Sequence, residues 1–484
     1  MSDPFDLHIQ GGPAALPQKD LSRAGVKGTT CGGVECFYGI RYGRLSKPDT
    51  PRSPVTPASG QLDVRHLTEV PVFPQLPSRL EALMGPGIGE NPQSNEAFYL
   101  NVWTPEGGTD LPVMVFLHGG AWVSGGGAAR WYRGATLAAE SMVVVTLNYR
   151  IGPNGHLEED ADQDPSDHRP MGDILTALQW VKDHICDFGG DANRITLAGQ
   201  SAGAWYAWAL AGWPKAKGVF DRVALLSIPQ ISPWSGAHRS TFTRDTVARC
   251  EEMQRQGDPQ ETALLRAGAE VLSHHTSPPG AMAPMYLPVW PVAAAETPLH
   301  VSALYVRVTD HEMSVFLPQL AAGSKQDAAR LSTLRAQSDP PNLSRACAQG
   351  WPQDWPQDWP HGWSEGWSEG WVETVTRASW LSFGAFAEAI AKAAEGRGRK
   401  VIRRQFAARS DLPGVGAAHC FDLPFQFGNP ADWHDTPMLN GWSTQAFEAL
   451  SQEMRADLAA FVLNTPQPLN RRIGTPLPTE CHIL

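Results

Sequence analysis

A serine flanked by glycines, Gly199-Gln200-Ser201-Ala202-Gly203, lies within the stretch "ITLAGQSAGAW" at 195–205. A serine hydroxyl is a weak nucleophile until a neighbouring base takes its proton, and that base is in turn oriented by a third group. The chemistry at issue is acyl transfer through Ser201. In a chain with 46 glycines the five-residue pattern alone decides nothing. The case rests on finding a base and an acid elsewhere. Fifteen histidines compete for the role of base. For the acid, the β-rich run "ALYVRVT" (303–309) is followed by Asp310, His311 and Glu312. On residue types alone, Asp310 and Glu312 are both eligible.

The segments that must carry these groups read as alternating strands and helices. "PVMVFLHGG" (112–120) and "SMVVVTLNYR" (141–150) are runs of Val and Leu without polar alternation. Such runs indicate strands of a parallel sheet, buried on both faces. "GDILTALQWVKDHICDFGGD" (172–191) places Ile174, Leu175, Leu178, Val181 and Ile185 at helical spacing and stops at Gly189-Gly190. "RITLAG" (194–199) is the next strand and "AGAWYAWALAG" (202–212) a helix. Ser201 therefore falls on a strand-to-helix turn, where a glycine-flanked serine becomes a nucleophile elbow. In folds of this kind the acid follows the serine and the histidine follows the acid. "KVIRRQFAARS" (400–410) is the expected last strand, and "STQAFEALSQEMRADLAAFVL" (443–463) the final helix. His419 is the only histidine in the loop 411–429, and His434, nearer the helix, is the second candidate.

Bulk properties exclude several classes of function. The net charge of −11 provides no basic field for nucleic acid, and "RGRKVIRR" (397–404) reads as a helix end running into a strand. The seven cysteines are odd in number and show no zinc-like spacing, which suits a reduced, cytoplasmic protein without a metal. The stretch "MSDPFDLHIQGG" has neither a basic start nor an apolar run, so no secretory signal is expected. No run approaches the roughly 18 apolar residues of a membrane span.

Seven segments, in order, resemble the type B carboxylesterase family, which includes cholinesterases and bacterial para-nitrobenzyl esterases. They are "GGVECFYGIRYG" (32–43), "NEAFYLNVWTP" (95–105), "HGGAWVSGG" (118–126), "VVVTLNYRIGPNGHL" (143–157), "ALQWVKDHICDFGGDANRITLAGQSAG" (177–203), "VTDHEMSVF" (308–316) and "GAAHCFDLPFQFGN" (416–429). The resemblance implies an α/β-hydrolase fold, with a mostly parallel central sheet flanked by helices and helical cap insertions. Carried over by position, the nucleophile falls on Ser201, the acid on Glu312 and the base on His419. The oxyanion donors fall on the backbone N–H groups of Gly120, Ala121 and Ala202, with Gly119 and Gln200 supporting. Trp234 resembles an acyl-pocket tryptophan, and Trp122 is a further pocket candidate. His118 is expected to prop the glycine loop, and Cys420 to be a small buried residue.

The resemblance implies hydrolysis of a small to medium carboxylic ester, aromatic esters included, with water as second substrate and no cofactor. Carbamate or amide cleavage by the same machinery is the alternative, and a non-catalytic binding protein of the same fold a more remote one. Departures from the family pattern are Gln200 in place of the usual Glu, Met313 after the acid in place of Gly, and Ala97-Phe98 where secreted relatives have a cysteine. A single domain is expected, its core at 20–235, 300–317 and 398–484, with insertions at 236–299 and 318–397 over the site. The second insertion holds the tandem repeat "WPQDWPQDWPHGWSEGWSEGW" (351–371). Its tryptophans recur at helical spacing, but each interior proline would cost a helix about 3 kcal/mol. A tolerated low-complexity insertion is expected there, ahead of an aromatic lid.

Overall fold

The computed structural model describes residues 19–157, 168–274, 297–316 and 375–474, apart from single positions 49, 79, 232, 377 and 413. The Trp-rich repeat and most of the second insertion lie outside these residues. The strands are β1 (Lys19–Arg23), β2 (Val26–Cys31), β3 (Val34–Arg41), β4 (Gly43–Leu45), β5 (Val55–Pro57), β6 (Tyr99–Pro105), β7 (Leu111–Leu117), β8 (Val143–Leu147), β9 (Gly190–Gln200), β10 (Arg222–Leu226), β11 (Ala303–Thr309), β12 (Lys400–Phe406) and β13 (Asn470–Ile473). Among the described residues, 11 strands join one sheet in the order β1-β2-β3-β6-β8-β7-β9-β10-β11-β12-β13. From β1 to β8 the neighbours in that order are antiparallel, and from β8 to β13 they are parallel.

The parallel half follows from the apolar runs. Successive side chains point to opposite faces of a strand, so β7 feeds two cores. Val113, Val115 and Leu117 enter one with helices Arg169–His184, Ala202–Gly212 and Ala385–Glu395. Met114 and Phe116 enter the other with helices Leu423–Phe427 and Thr444–Leu463. Each fully buried Val, Leu or Phe side chain contributes roughly 1.5–3 kcal/mol. A strand covered on both faces has no position for a polar side chain, which is why these runs do not alternate. Helix Ala202–Gly212 is apolar nearly all round, and residues 202–211 are all buried.

Helix Arg169–His184 opens with Pro170 in its first turn and gives way to a 3-10 turn that ends at Gly189, φ 81°. Helix Thr444–Leu463 is capped by the Ser443 hydroxyl, which accepts from Ala446 N–H. In the first insertion, helices Gly236–Arg255 and Gln260–His274 pack together. Helix Ala385–Glu395 lies against β11 and β12. None of the described helices is long and apolar enough to cross a membrane.

Candidate active site

In a parallel sheet the ligand site lies off the carboxyl ends of the strands, and Ser201, Glu312 and His419 each follow such an end, of β9, β11 and β12. Ser201 follows β9 directly and precedes helix Ala202–Gly212 with φ 56° and ψ −120°. Its N–H donates to Leu226 O at the end of β10, 2.9 Å away. The flanking glycines are required by close approach. A Cβ on Gly199 would lie 2.3 Å from Gly203 O, and one on Gly203 would lie 2.2 Å from Leu117 O. The turn can be this tight only because both lack side chains.

Glu312 begins a short 3-10 turn after β11, and His419 stands on the loop after β12. The two meet through His419 Nδ1 and Glu312 Oε2, 2.5 Å apart, with both side chains buried. The other carboxylate oxygen accepts from Thr309 N–H at 2.8 Å. Asp310 is turned elsewhere: it accepts from Gln405 Nε2 at 2.7 Å and pairs with Arg472. The geometry joins His419 to Glu312 and leaves Asp310 outside. His434 also lies away, with its Nδ1 3.2 Å from Arg130 and 2.8 Å from Ala431 O. Burial opposes charge on His419, but Cys420 and Glu312 beside it outweigh that effect, and its pKa lies well above the ordinary 6.5.

The His118–Ala121 turn leaves β7 next to the elbow, and a Cβ on Gly119 would lie 3.2 Å from Ser201 Cβ. Gly120, Ala121 and Trp122 all hold positive φ, at 123°, 52° and 62°. The carbonyl of Gly120 accepts from Val123 and Ser124 N–H, both at 3.0 Å. The N–H groups of Gly120, Ala121 and Ala202 have no acceptor among the described residues. Three unpaired donors beside a serine can take a developing negative charge. His118 is buried below the turn, where its ring stacks on Tyr149 at 4.2 Å and its Nδ1 lies 2.8 Å from Gly119 O. Burial lowers its pKa to about 4, so it stays neutral.

Trp122 is buried, its ring edge-on to Trp205 and Tyr206. Trp234 is half-buried and meets His238 and Phe242 of helix Gly236–Arg255 at 4.8 and 4.9 Å. Residue reasoning missed Phe316 and Phe383, whose rings flank His419 at 5.2 and 5.0 Å. It also missed Ser379, whose hydroxyl accepts from Met313 N–H at 3.0 Å and donates to Val375 O at 2.7 Å. No local pattern marks these residues, because a π-helical turn at Trp380–Gly384, far along the chain, carries Phe383 into place with Ser379 just before it. Among the described residues no cluster of three or more His, Cys, Asp or Glu is disposed to hold a metal.

Comparison with known proteins identifies the family. Residues 22–352 match the model of the carboxylesterase family. The chain is 30% identical over 459 residues to a probable N-octanoylanthranilate hydrolase of Rhodococcus erythropolis, covering 90% of each chain. It is 27% identical over 451 residues to a phenmedipham hydrolase of Pseudarthrobacter oxydans, covering 89% of this chain and 86% of that one. A solved PNB esterase superposes with a TM-score of 0.70 at 25% identity, over 90% of this chain and 88% of that one. A family match over most of the chain, a relative aligned nearly end to end and a shared α/β architecture place this chain in the carboxylesterase family, as an enzyme of the α/β-hydrolase fold.

Proposed function

We propose that the protein is a serine carboxylic-ester hydrolase in which Ser201 is the nucleophile, His419 the base and Glu312 the acid. The observation that carries this reading is the buried His419–Glu312 contact of 2.5 Å at the strand ends where Ser201 stands on its elbow. Ser201 Oγ attacks the ester carbonyl carbon while its proton passes to His419 Nε2. Glu312 keeps the Nδ1 proton in place and stabilises the imidazolium, without itself taking the proton. The carbonyl oxygen becomes an oxyanion and accepts from the N–H groups of Gly120, Ala121 and Ala202. Each such donor is worth about 10²–10³ in rate.

Collapse breaks the bond to the alcohol oxygen, which leaves with the proton held by His419. Water then enters, gives its proton to His419 and attacks the acyl carbon. The acyl–serine bond breaks and the proton returns to Ser201 Oγ. All of this uses side chains and backbone of the chain itself. The Phe316 and Phe383 rings beside His419 support a substrate with an apolar or aromatic portion. Trp122 and Trp234 are proposed as further pocket residues. The cap division at 236–299 and 318–397 remains part of this proposal, with the Trp-rich repeat in the second insertion.

Cleavage of an N-acyl bond is the second reading, favoured by the relative named as an N-octanoylanthranilate hydrolase. The test is turnover of a para-nitrophenyl ester series by wild type and Ser201→Ala, beside a para-nitrophenyl carbamate and an anilide. Ester turnover should fall by the order of 10⁶ in the variant. An anilide or carbamate rate rivalling the esters would move the assignment to the second reading. Ester turnover that survives in Ser201→Ala would reject the mechanism.

A further inference from the structure

We propose that Gln200 is a positioning residue for His419. Its side-chain amide donates to the imidazole Nε2 and holds the ring as the Nδ1–H tautomer, ready to accept the Ser201 proton. The inference rests on the reading of His419 as the base, and it assigns a role to the residue at which this chain departs from its family's usual carboxylate.

Gln200 ends β9 and is 1% exposed. Its Nε2 lies 3.2 Å from His419 Nε2 and 3.3 Å from Cys420 Sγ. Its Oε1 lies on the other side, against the glycine turn, where a Cβ on Gly119 would come within 2.3 Å of it. One buried amide thus spans from the oxyanion turn to the base. A Cβ at 119 would also come within 3.1 Å of the Gln200 carbonyl oxygen, so a side chain there would displace the amide.

An N–H directed at a ring nitrogen requires a lone pair on that nitrogen. With Nε2 accepting from Gln200, the single proton of neutral imidazole must sit on Nδ1, where Glu312 Oε2 accepts it at 2.5 Å. The two ends of the ring are specified independently by two side chains, and both select the form that proton abstraction from Ser201 needs. The serine hydroxyl then replaces the amide as donor to the same lone pair. A carboxylate at 200 would do the opposite, since it would attract a proton onto Nε2 and favour the imidazolium. Glutamine in this place keeps the base neutral to lower pH than glutamate would.

The charged and titratable groups that act on His419 among the described residues are Cys420, next in the chain, and Glu312, from the turn after β11. Phe316 and Phe383 present only rings. A change at 200 that leaves these in place therefore isolates the amide donor.

The experiment uses Gln200→Met, which preserves length but has no N–H, and Gln200→Glu, which preserves shape but adds a charge. Two readouts are taken on the full chain: the acid limb of kcat/KM for a para-nitrophenyl ester, and the ¹⁵N-histidine NMR titration of His419, identified by its loss in His419→Gln. Loss of the donor in Gln200→Met should raise the apparent pKa of His419 by roughly half a unit to one unit, a three- to ten-fold loss of rate on the acid limb. Gln200→Glu should raise it further. In wild type the ¹⁵N shifts should report the Nδ1–H tautomer, and in Gln200→Met a mixture.

A kcat reduced equally at all pH values, with the limb unmoved, would mean that Gln200 only fills space, and the proposal would fall. An unmoved or lowered pKa in folded Gln200→Met would also overturn it. Should that variant not fold, a limb unmoved in Gln200→Glu has the same force. Absence of Ser201-dependent turnover in wild type would instead sink the esterase reading, while the NMR titration still decides whether the amide meets the ring.

Discussion

At the scale of single residues, the proposed base carries the most testable property. His419 must be neutral to take a proton, so the rate should fall as the pH drops through its pKa. Cys420 and Glu312 raise that pKa above 6.5 despite burial, so the loss should begin at a higher pH than for an unperturbed histidine. A pH profile of kcat/KM should place the acid limb above 6.5 and find it reversible; a limb at or below that value would contradict the geometry. Glu312→Gln should cut kcat by about 10⁴, as loss of the orienting carboxylate does in other enzymes that use a serine, a histidine and an acid. It should also lower the limb, because the charge favouring the imidazolium is gone. Much of this was legible in the residues. Ser201 was singled out by the strand before it and the helix after it. Asp310 and Glu312 were not separable by type or local spacing. Resemblance selected Glu312, and the structure gives the reason for Asp310: Gln405 and Arg472 hold its carboxylate away from His419. The Gln200 contact was illegible, because Gln200 and His419 are 219 positions apart.

At the scale of elements, buried ion pairs hold the loops that carry the site. Arg307 on β11 and Asp422 on the His419 loop are both fully buried, with Nη2–Oδ2 at 2.7 Å and Nε–Oδ2 at 2.9 Å. Asp422 lies three residues beyond His419, so this pair fixes where the loop leaves the sheet. Arg307→Met would strand the carboxylate, and breaking such a pair from one side costs about 3–5 kcal/mol. Urea unfolding should show a loss of that size, largely recovered in Arg307→Met/Asp422→Leu, where neither charge remains. A single variant within 1 kcal/mol of wild type would remove the pair from the account of the loop. Elements were legible to the extent that burial repeats in the chain. The Val/Leu runs of β7 and β8, and helices Arg169–His184 and Thr444–Leu463, stand where periodicity placed them. β13 and the β1–β2 hairpin carried no comparable signal. β13 reads as a polar Asn-Arg-Arg-Ile segment and β1 as Lys-Asp-Leu-Ser-Arg. Such short strands are specified by the neighbour they pair with rather than by their own pattern.

At the scale of the whole molecule, acid should act twice, and the two effects can be separated. Beneath the oxyanion turn lies a chain of buried polar groups. His156 Nε2 and His168 Nε2 stand 3.0 and 3.1 Å from the Tyr206 hydroxyl, which donates to one and accepts from the other. The Tyr206 ring packs on Tyr149, whose hydroxyl donates to His118 O at 2.5 Å. Burial holds His118 neutral to about pH 4 and His156 and His311 to about pH 3, and it lowers His168 as well. In the unfolded chain these rings charge near 6.5. Between that value and about 4 the unfolded state therefore binds more protons, and stability must fall as pH falls, by up to about 1.4 kcal/mol per pH unit for each ring. His419 runs the other way. Its raised pKa contributes stability that is complete below 6.5 and is lost only as pH rises through the folded value, so it adds no slope in this window. Asp310 and Asp432, raised by burial, oppose the histidines, but they are two groups against four. Urea midpoints taken from pH 7 to 4.5 should decline steadily, and His156→Gln should flatten the decline by one proton's worth. A midpoint constant over that range would mean that these histidines are charged in the fold. Because His419 charges above 6.5 while burial holds His118 neutral to about pH 4 and His156 and His311 to about pH 3, activity should be lost first and reversibly through His419, and only at lower pH through unfolding.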